Sequence, residues 1–101
     1  MRILKFAVNQ QNIKKDGDFS GLVPGTKGYL FAEFHFSSDW SGCRIAASFF
    51  SNDGEYPVQV TGNRCEIPEE VLRGSRFLVQ LTGMKNGFMI KTNKLLIRQE
   101  G

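Results

Sequence analysis

Cysteine, histidine and tryptophan are scarce in this chain of 101 residues, which contains two, one and one of them. Two cysteines are too few for the disulfide framework of a small secreted protein, and Cys43 and Cys65 lack the close spacing of a zinc site. They are predicted to be buried free thiols, with a disulfide between two strands left open. The one histidine, His35, lies inside a predicted strand with no nucleophile motif beside it, so the sequence does not predict an enzyme.

Long hydrophobic runs and a strong excess of one charge are also missing. No stretch approaches the roughly 18 apolar residues of a membrane-spanning helix. Lys5 interrupts the apolar N-terminus, so we do not expect a signal peptide. The formal net charge is +3, from 13 basic and 10 acidic residues, and the longest basic run, Lys14-Lys15, is too short for a charged stripe that binds nucleic acid. Neither membranes nor nucleic acids are predicted partners.

Motifs for cofactors and metal ions do not occur either. Gly21, Gly25 and Gly28 do not form the strand-glycine-helix unit of a nucleotide site. Asp16-Gly17-Asp18 and Asn52-Asp53-Gly54 each contain calcium-loop residues, but neither has the spacing or the closing glutamate of an EF-hand. The sequence therefore predicts no cofactor and no metal ion.

Alternation of apolar and polar residues is what the chain does contain. In residues 29–36, Leu30, Ala32, Phe34 and Phe36 alternate with the remaining side chains, which is typical of a strand with one buried face. Similar segments recur at intervals of about 8 to 12 residues, separated by turn signals of which Asn86-Gly87 is the strongest. Residues 15–28 are predicted to be mostly loop, because breakers lie on both sides of 19–22.

These features predict an all-β fold for one domain covering residues 1–101. We expect an antiparallel two-sheet sandwich of the immunoglobulin-like or jelly-roll type, with seven to eight strands and one short helical turn at 68–73. Short connections favour antiparallel neighbours. A small closed barrel stays open as an alternative, because periodicity does not show whether a sheet closes.

Consecutive apolar residues point to a contact surface. In an extended strand Phe49 and Phe50 face opposite ways, so one of them is predicted to leave the core, and outward aromatic residues can form a contact patch. The candidate interface residues are Tyr29, Phe31, Trp40, Phe50 and Phe88. For Trp40, beside Gly42 at a strand end, a plug at the mouth of the core and a stacking platform for sugars are both considered.

Several motifs follow one another in a fixed order along the chain. They are Phe34-His35-Phe36-Ser37-Ser38-Asp39-Trp40-Ser41-Gly42, the strand end 47–50, Cys65-Glu66-Ile67-Pro68-Glu69-Glu70-Val71-Leu72, a strand ending at Gly83, and Thr92-Asn93. In this order the chain resembles small virion-associated proteins of tailed phages that infect Gram-positive bacteria. The resemblance covers nearly the whole chain.

The resemblance implies a non-enzymatic β-sandwich that docks on a phage particle, as a capsid decoration or a head-fibre anchoring protein. The implied partners are the major capsid protein or other phage structural proteins, with many copies or a homo-oligomer on the virion after assembly in the host bacterial cytoplasm. A baseplate or tail-tip module is the alternative within the same family. The end of the chain at Gly101, without a receptor-binding extension, favours decoration or anchoring. A carbohydrate-binding module that uses Tyr29, Trp40 and Tyr56 is an alternative of a different class.

Overall fold

The computed structural model describes residues 1–100, which contain nine β-strands and two 3-10 turns. The strands are β1 (Arg2–Asn9), β2 (Asn12–Lys15), β3 (Leu30–Phe36), β4 (Arg44–Ser51), β5 (Gly54–Val60), β6 (Arg64–Glu66), β7 (Arg76–Lys85), β8 (Phe88–Lys91) and β9 (Leu95–Arg98). The 3-10 turns are Ser38–Trp40 and Glu69–Val71. The described part thus has one strand more than the upper prediction, and a second short 3-10 turn, Ser38–Trp40, besides the helical turn predicted at 68–73.

The strands form two sheets that pack face to face. The first sheet has the order β2-β1-β3-β6, and the second has the order β5-β4-β7 with β8 and β9 both paired to the far side of β7. This arrangement confirms the predicted all-β two-sheet sandwich. β7 continues through Gly83 to Lys85, so the strand does not end at that glycine as the motif order suggested.

One strand pair differs from the antiparallel prediction. β1 and β3 are parallel, from Arg2 opposite Leu30 to Val8 opposite Phe36, whereas every other strand pair within residues 1–100 is antiparallel. β2 runs back toward the end of the sheet where β1 begins, and the loop 16–29 then crosses from the β2 side of β1 to its other side, where β3 starts opposite Arg2. The Arg2 guanidinium holds the loop there, donating to the carbonyl oxygens of Asp18 and Ser20 at 3.2 and 2.8 Å.

The core lies between the sheets and is rich in phenylalanine. Phe6 and Phe34 from the first sheet stack with their centroids 5.2 Å apart, and Phe49 and Phe77 from the second are 6.2 Å apart. All four are at most 1% exposed, and burial of each stabilises the fold by about 1.5–3 kcal/mol. Phe50 lies on the outer face and is half-buried, which confirms that one member of the pair leaves the core.

Trp40 closes one end of the sandwich. Its side chain is 2% exposed, its Nε1 donates to the Gln10 carbonyl oxygen at 2.9 Å, and its ring centroid lies 5.3 Å from that of Phe36. On the other side the ring packs against the backbone of Gly83, where an added Cβ would come within 2.8 Å of Trp40 Cε3. The ring therefore joins the two sheets.

A candidate docking face on the second sheet

The residues predicted to form an interface are distributed over the molecule. Tyr29 precedes β3 and Phe31 lies within it, on the first sheet, whereas Phe50 is on the outer face of the second sheet and Phe88 is at the tip of the β7–β8 hairpin. Trp40 is buried, so its inclusion among the contact residues is corrected: its ring has no surface to offer while it plugs the core. The structure does not bring the five residues together.

The same placement bears on the sugar-platform hypothesis. Trp40 is in the core, Tyr56 on β5 packs half-buried against the core, and Tyr29 is 48% exposed at the end of the other sheet. These three rings do not share a surface on which one sugar could stack.

The β7–β8 hairpin carries a concentration of exposed apolar side chains. Met84, Phe88 and Met89 are 40, 43 and 59% exposed, and Met84 pairs directly with Met89 across the strands. Asn86 and Gly87 have positive φ angles of 37° and 76°, the conformation that the hairpin signal predicted. Only Phe88 was identified from the sequence. Counting outward from this turn would have paired the two methionines.

Basic residues surround this apolar group. Arg44 on β4 lies opposite Met84, and Lys91 on β8 lies opposite Thr82. The Lys85 ammonium is 5.6 Å from the Phe88 ring centroid and donates to the Ser41 carbonyl oxygen at 2.7 Å. An ammonium near a ring face is attracted to it. This pair lies on the other side of the hairpin from Met84 and Met89, because consecutive residues of a strand point to opposite faces.

A groove on the outer face of the second sheet continues this surface. Ala46 lies between Gln59 on β5 and Thr82 on β7, so its small side chain leaves a depression between longer neighbours. The groove has a volume of about 350 Å³, and Arg44 and Met84 line both the groove and the pocket at the hairpin. We call the whole surface the basic apolar face; its residues are Arg44, Ala46, Thr82, Met84, Met89 and Lys91.

The cysteines do not form a reactive centre. Both thiols are free; Cys43 is half-buried, and Cys65 is 7% exposed between core residues. Desolvation by burial raises the pKa of the Cys65 thiol to about 12, which disfavours the nucleophilic thiolate at neutral pH. Cys65 is consequently a small apolar core residue in chemical terms.

Within residues 1–100, no three histidine, cysteine, aspartate or glutamate side chains come together in a way that could hold a metal ion. The same residues include no helix that is long and apolar enough to cross a membrane. Comparisons of the chain with protein families, curated proteins and solved structures found no match.

Proposed function

We propose that the chain is a non-enzymatic structural protein of a phage virion, a capsid decoration or head-fibre anchoring protein that docks through its β-sandwich. The observation that carries this proposal is the basic apolar face, where the exposed side chains of Met84 and Met89 lie side by side on one hairpin. An exposed apolar group with a polar rim is typical of a protein-protein contact.

The residues that carry the sequence resemblance have structural roles in this fold, and this supports the proposal. Trp40 and Gly83 pack against each other at the end of the sandwich. Thr92 bonds to β7 within the second sheet, and Asn93 joins the following segment to β2 of the first sheet. A family defined by such positions would share a rigid scaffold and vary its contact surface. On a symmetric particle many copies bind at once. A modest contact surface on each copy is then enough for stable binding, because avidity strengthens binding where copies are linked to one another.

The test is quantitative mass spectrometry of gradient-purified phage particles from the source bacterium, with the major capsid protein as the internal reference. We expect abundance near that of the capsid protein, or hundreds of copies per particle. A few copies in multiples of three or six would assign the chain to the baseplate or tail tip. Absence from washed particles would reject the proposal.

A further inference from the structure

Building on the proposed function, we propose that the basic apolar face binds an acidic segment of the partner protein. The segment places an apolar side chain in the groove above Ala46 and its carboxylates beside Arg44 and Lys91.

The groove supplies the apolar part of the site. Its floor is Ala46, and its walls include Pro57 and Gln59 on β5 and Thr82 and Met84 on β7. These walls belong to strands that are hydrogen-bonded to β4 on either side, so the depression is part of a rigid sheet. A preformed apolar pocket accepts a side chain with little cost in ordering the protein.

The charges around the groove favour a partner segment with negative charge. Arg44 lines both the groove and the hairpin pocket, and Lys91 lies on the same face opposite Thr82. None of the described residues that line either depression is an aspartate or glutamate. A second copy of this chain, placed face to face by a twofold axis, would oppose like charges. An acidic segment removes this repulsion and gains charge-assisted hydrogen bonds to Arg44.

The first sheet differs in this respect. On its outer face Lys5 lies opposite Glu33, and Glu33 forms an ion pair with Arg64 at 2.8 Å. Acid and base neutralise one another there, so that face gives no preference for an acidic partner. The outer face of the second sheet therefore differs from that of the first in charge as well as in exposed apolar area.

Two substitutions test the two parts of the site. Ala46→Phe fills the groove from the outer face of the sheet, and Arg44→Glu reverses the charge at its end. Lys27→Glu makes the same charge change on the loop 16–29 and serves as the matched control. Purified protein and each variant are added to phage particles produced without this chain, and bound copies are counted by mass spectrometry at about 50 and about 200 mM salt.

We expect both face variants to lose about tenfold or more in affinity while Lys27→Glu binds like the wild-type protein. Binding of the wild type weakens with salt, and Arg44→Glu reduces that dependence. Far-UV circular dichroism and urea midpoints show whether each variant is folded. If folded Ala46→Phe and Arg44→Glu bind particles as well as the wild type, the face is not the docking site, although the proposed function stands. If the wild type fails to bind, the proposed function itself fails.

Two further measurements exclude other occupants of the same face. Sedimentation of the purified protein would reveal a dimer, and co-sedimentation with phosphatidylglycerol vesicles would reveal binding to an anionic membrane. Either association, if abolished by Arg44→Glu, would overturn the assignment to an acidic protein segment. We expect a monomer and no vesicle binding.

Discussion

Among the glycines of residues 1–100, Gly83 is the one whose added Cβ would lie closest to a neighbouring side chain. An added Cβ would lie 2.8 Å from Trp40 Cε3 and 2.9 Å from Cζ3, both atoms of a buried ring. Neither β7 nor the ring can shift freely, because the strand is paired on both sides and the indole is hydrogen-bonded to Gln10. We predict that Gly83→Ala lowers the free energy of unfolding by about 1–3 kcal/mol through overpacking, measured by urea denaturation.

Gly74→Ala is the control for this prediction. A Cβ at Gly74 would have open space around it, so the same change should alter stability by no more than about 0.5 kcal/mol. Equal losses in the two variants would show that the cost comes from the alanine itself and not from contact with Trp40.

Cys65 makes stability depend on pH in the alkaline range. Burial raises the pKa of its thiol from 9.0 to about 12, so below pH 9 the thiol is neutral in both the folded and the unfolded state. Above that pH the unfolded chain ionises while the folded protein keeps the proton, and the free energy of unfolding falls. The Cys65 contribution to this fall approaches about 1.4 kcal/mol per pH unit between the two pKa values.

We predict that Cys65→Ala loses less stability than the wild type when the pH rises from about 9 to about 10.5. Urea midpoints at several pH values give the slope, which is independent of any constant cost of the substitution. Cys43→Ala removes the half-buried thiol and is the matched control. A similar change of slope in both variants would mean that the alkaline loss does not come from burial of Cys65.

At the scale of elements, the segment Thr92-Asn93 connects one edge of the second sheet to the first sheet. Thr92 Oγ1 accepts from the Leu81 N–H at 3.0 Å, which keeps β7 paired where β8 ends. Asn93 Oδ1 accepts from the Ile13 N–H at 2.9 Å, and the Asn93 N–H donates to the Gln11 carbonyl oxygen at 3.1 Å. The side-chain amide thus takes the place of a neighbouring strand for β2.

We predict that Asn93→Ala costs about 1–2 kcal/mol, because the Ile13 N–H loses its partner in a partly buried setting. Hydrogen exchange should show the largest loss of protection in β2. Asn52→Ala, in the exposed β4–β5 turn, provides a control with the same change of side chain. Unaltered protection of β2 in Asn93→Ala would show that the sheets are joined by other contacts.

The edge strands of the second sheet are poor sites for a partner that would add a strand to the sheet. On β5, Pro57 lies opposite Ser48 and has no backbone N–H to donate to an added strand. Beyond β8, the Gln11 amide donates to the Lys91 carbonyl oxygen at 3.3 Å. Both edges are therefore interrupted, whereas the outer face is continuous from the groove to the hairpin.

Most individual strands were predictable from periodicity, but their partners were not. Residues 29–36 alternate in burial as expected, since one face of a strand packs on the core. The parallel β1–β3 pair depends on where the loop 16–29 crosses, which the local pattern does not record. Phe50 and Phe88 were expected on the surface. The groove above Ala46 was not predictable, because it depends on how β5 and β7 pair with β4, and the sequence does not show this register.

At the scale of the whole molecule, the two sheets depend on a shared core. Trp40 contacts Gln10 at the β1–β2 turn of the first sheet and Gly83 near the end of β7 in the second. Asn93 makes a second connection at the edge. The core lies between the sheets, so neither sheet would keep a buried face without the other. Single domains of this size usually unfold in one cooperative transition.

Trp40 is the one tryptophan of the chain, so its emission reports on the junction between the sheets. We predict that urea unfolding followed by Trp40 emission and by far-UV circular dichroism gives coincident curves, because loss of either sheet exposes the ring. Arg44→Glu and Ala46→Phe lie on the outer face and should move this midpoint by an amount equivalent to no more than about 0.5 kcal/mol. An emission change that precedes the loss of β-structure would mean that the sheets separate first, and the docking face would then lie on a unit that folds independently of Trp40.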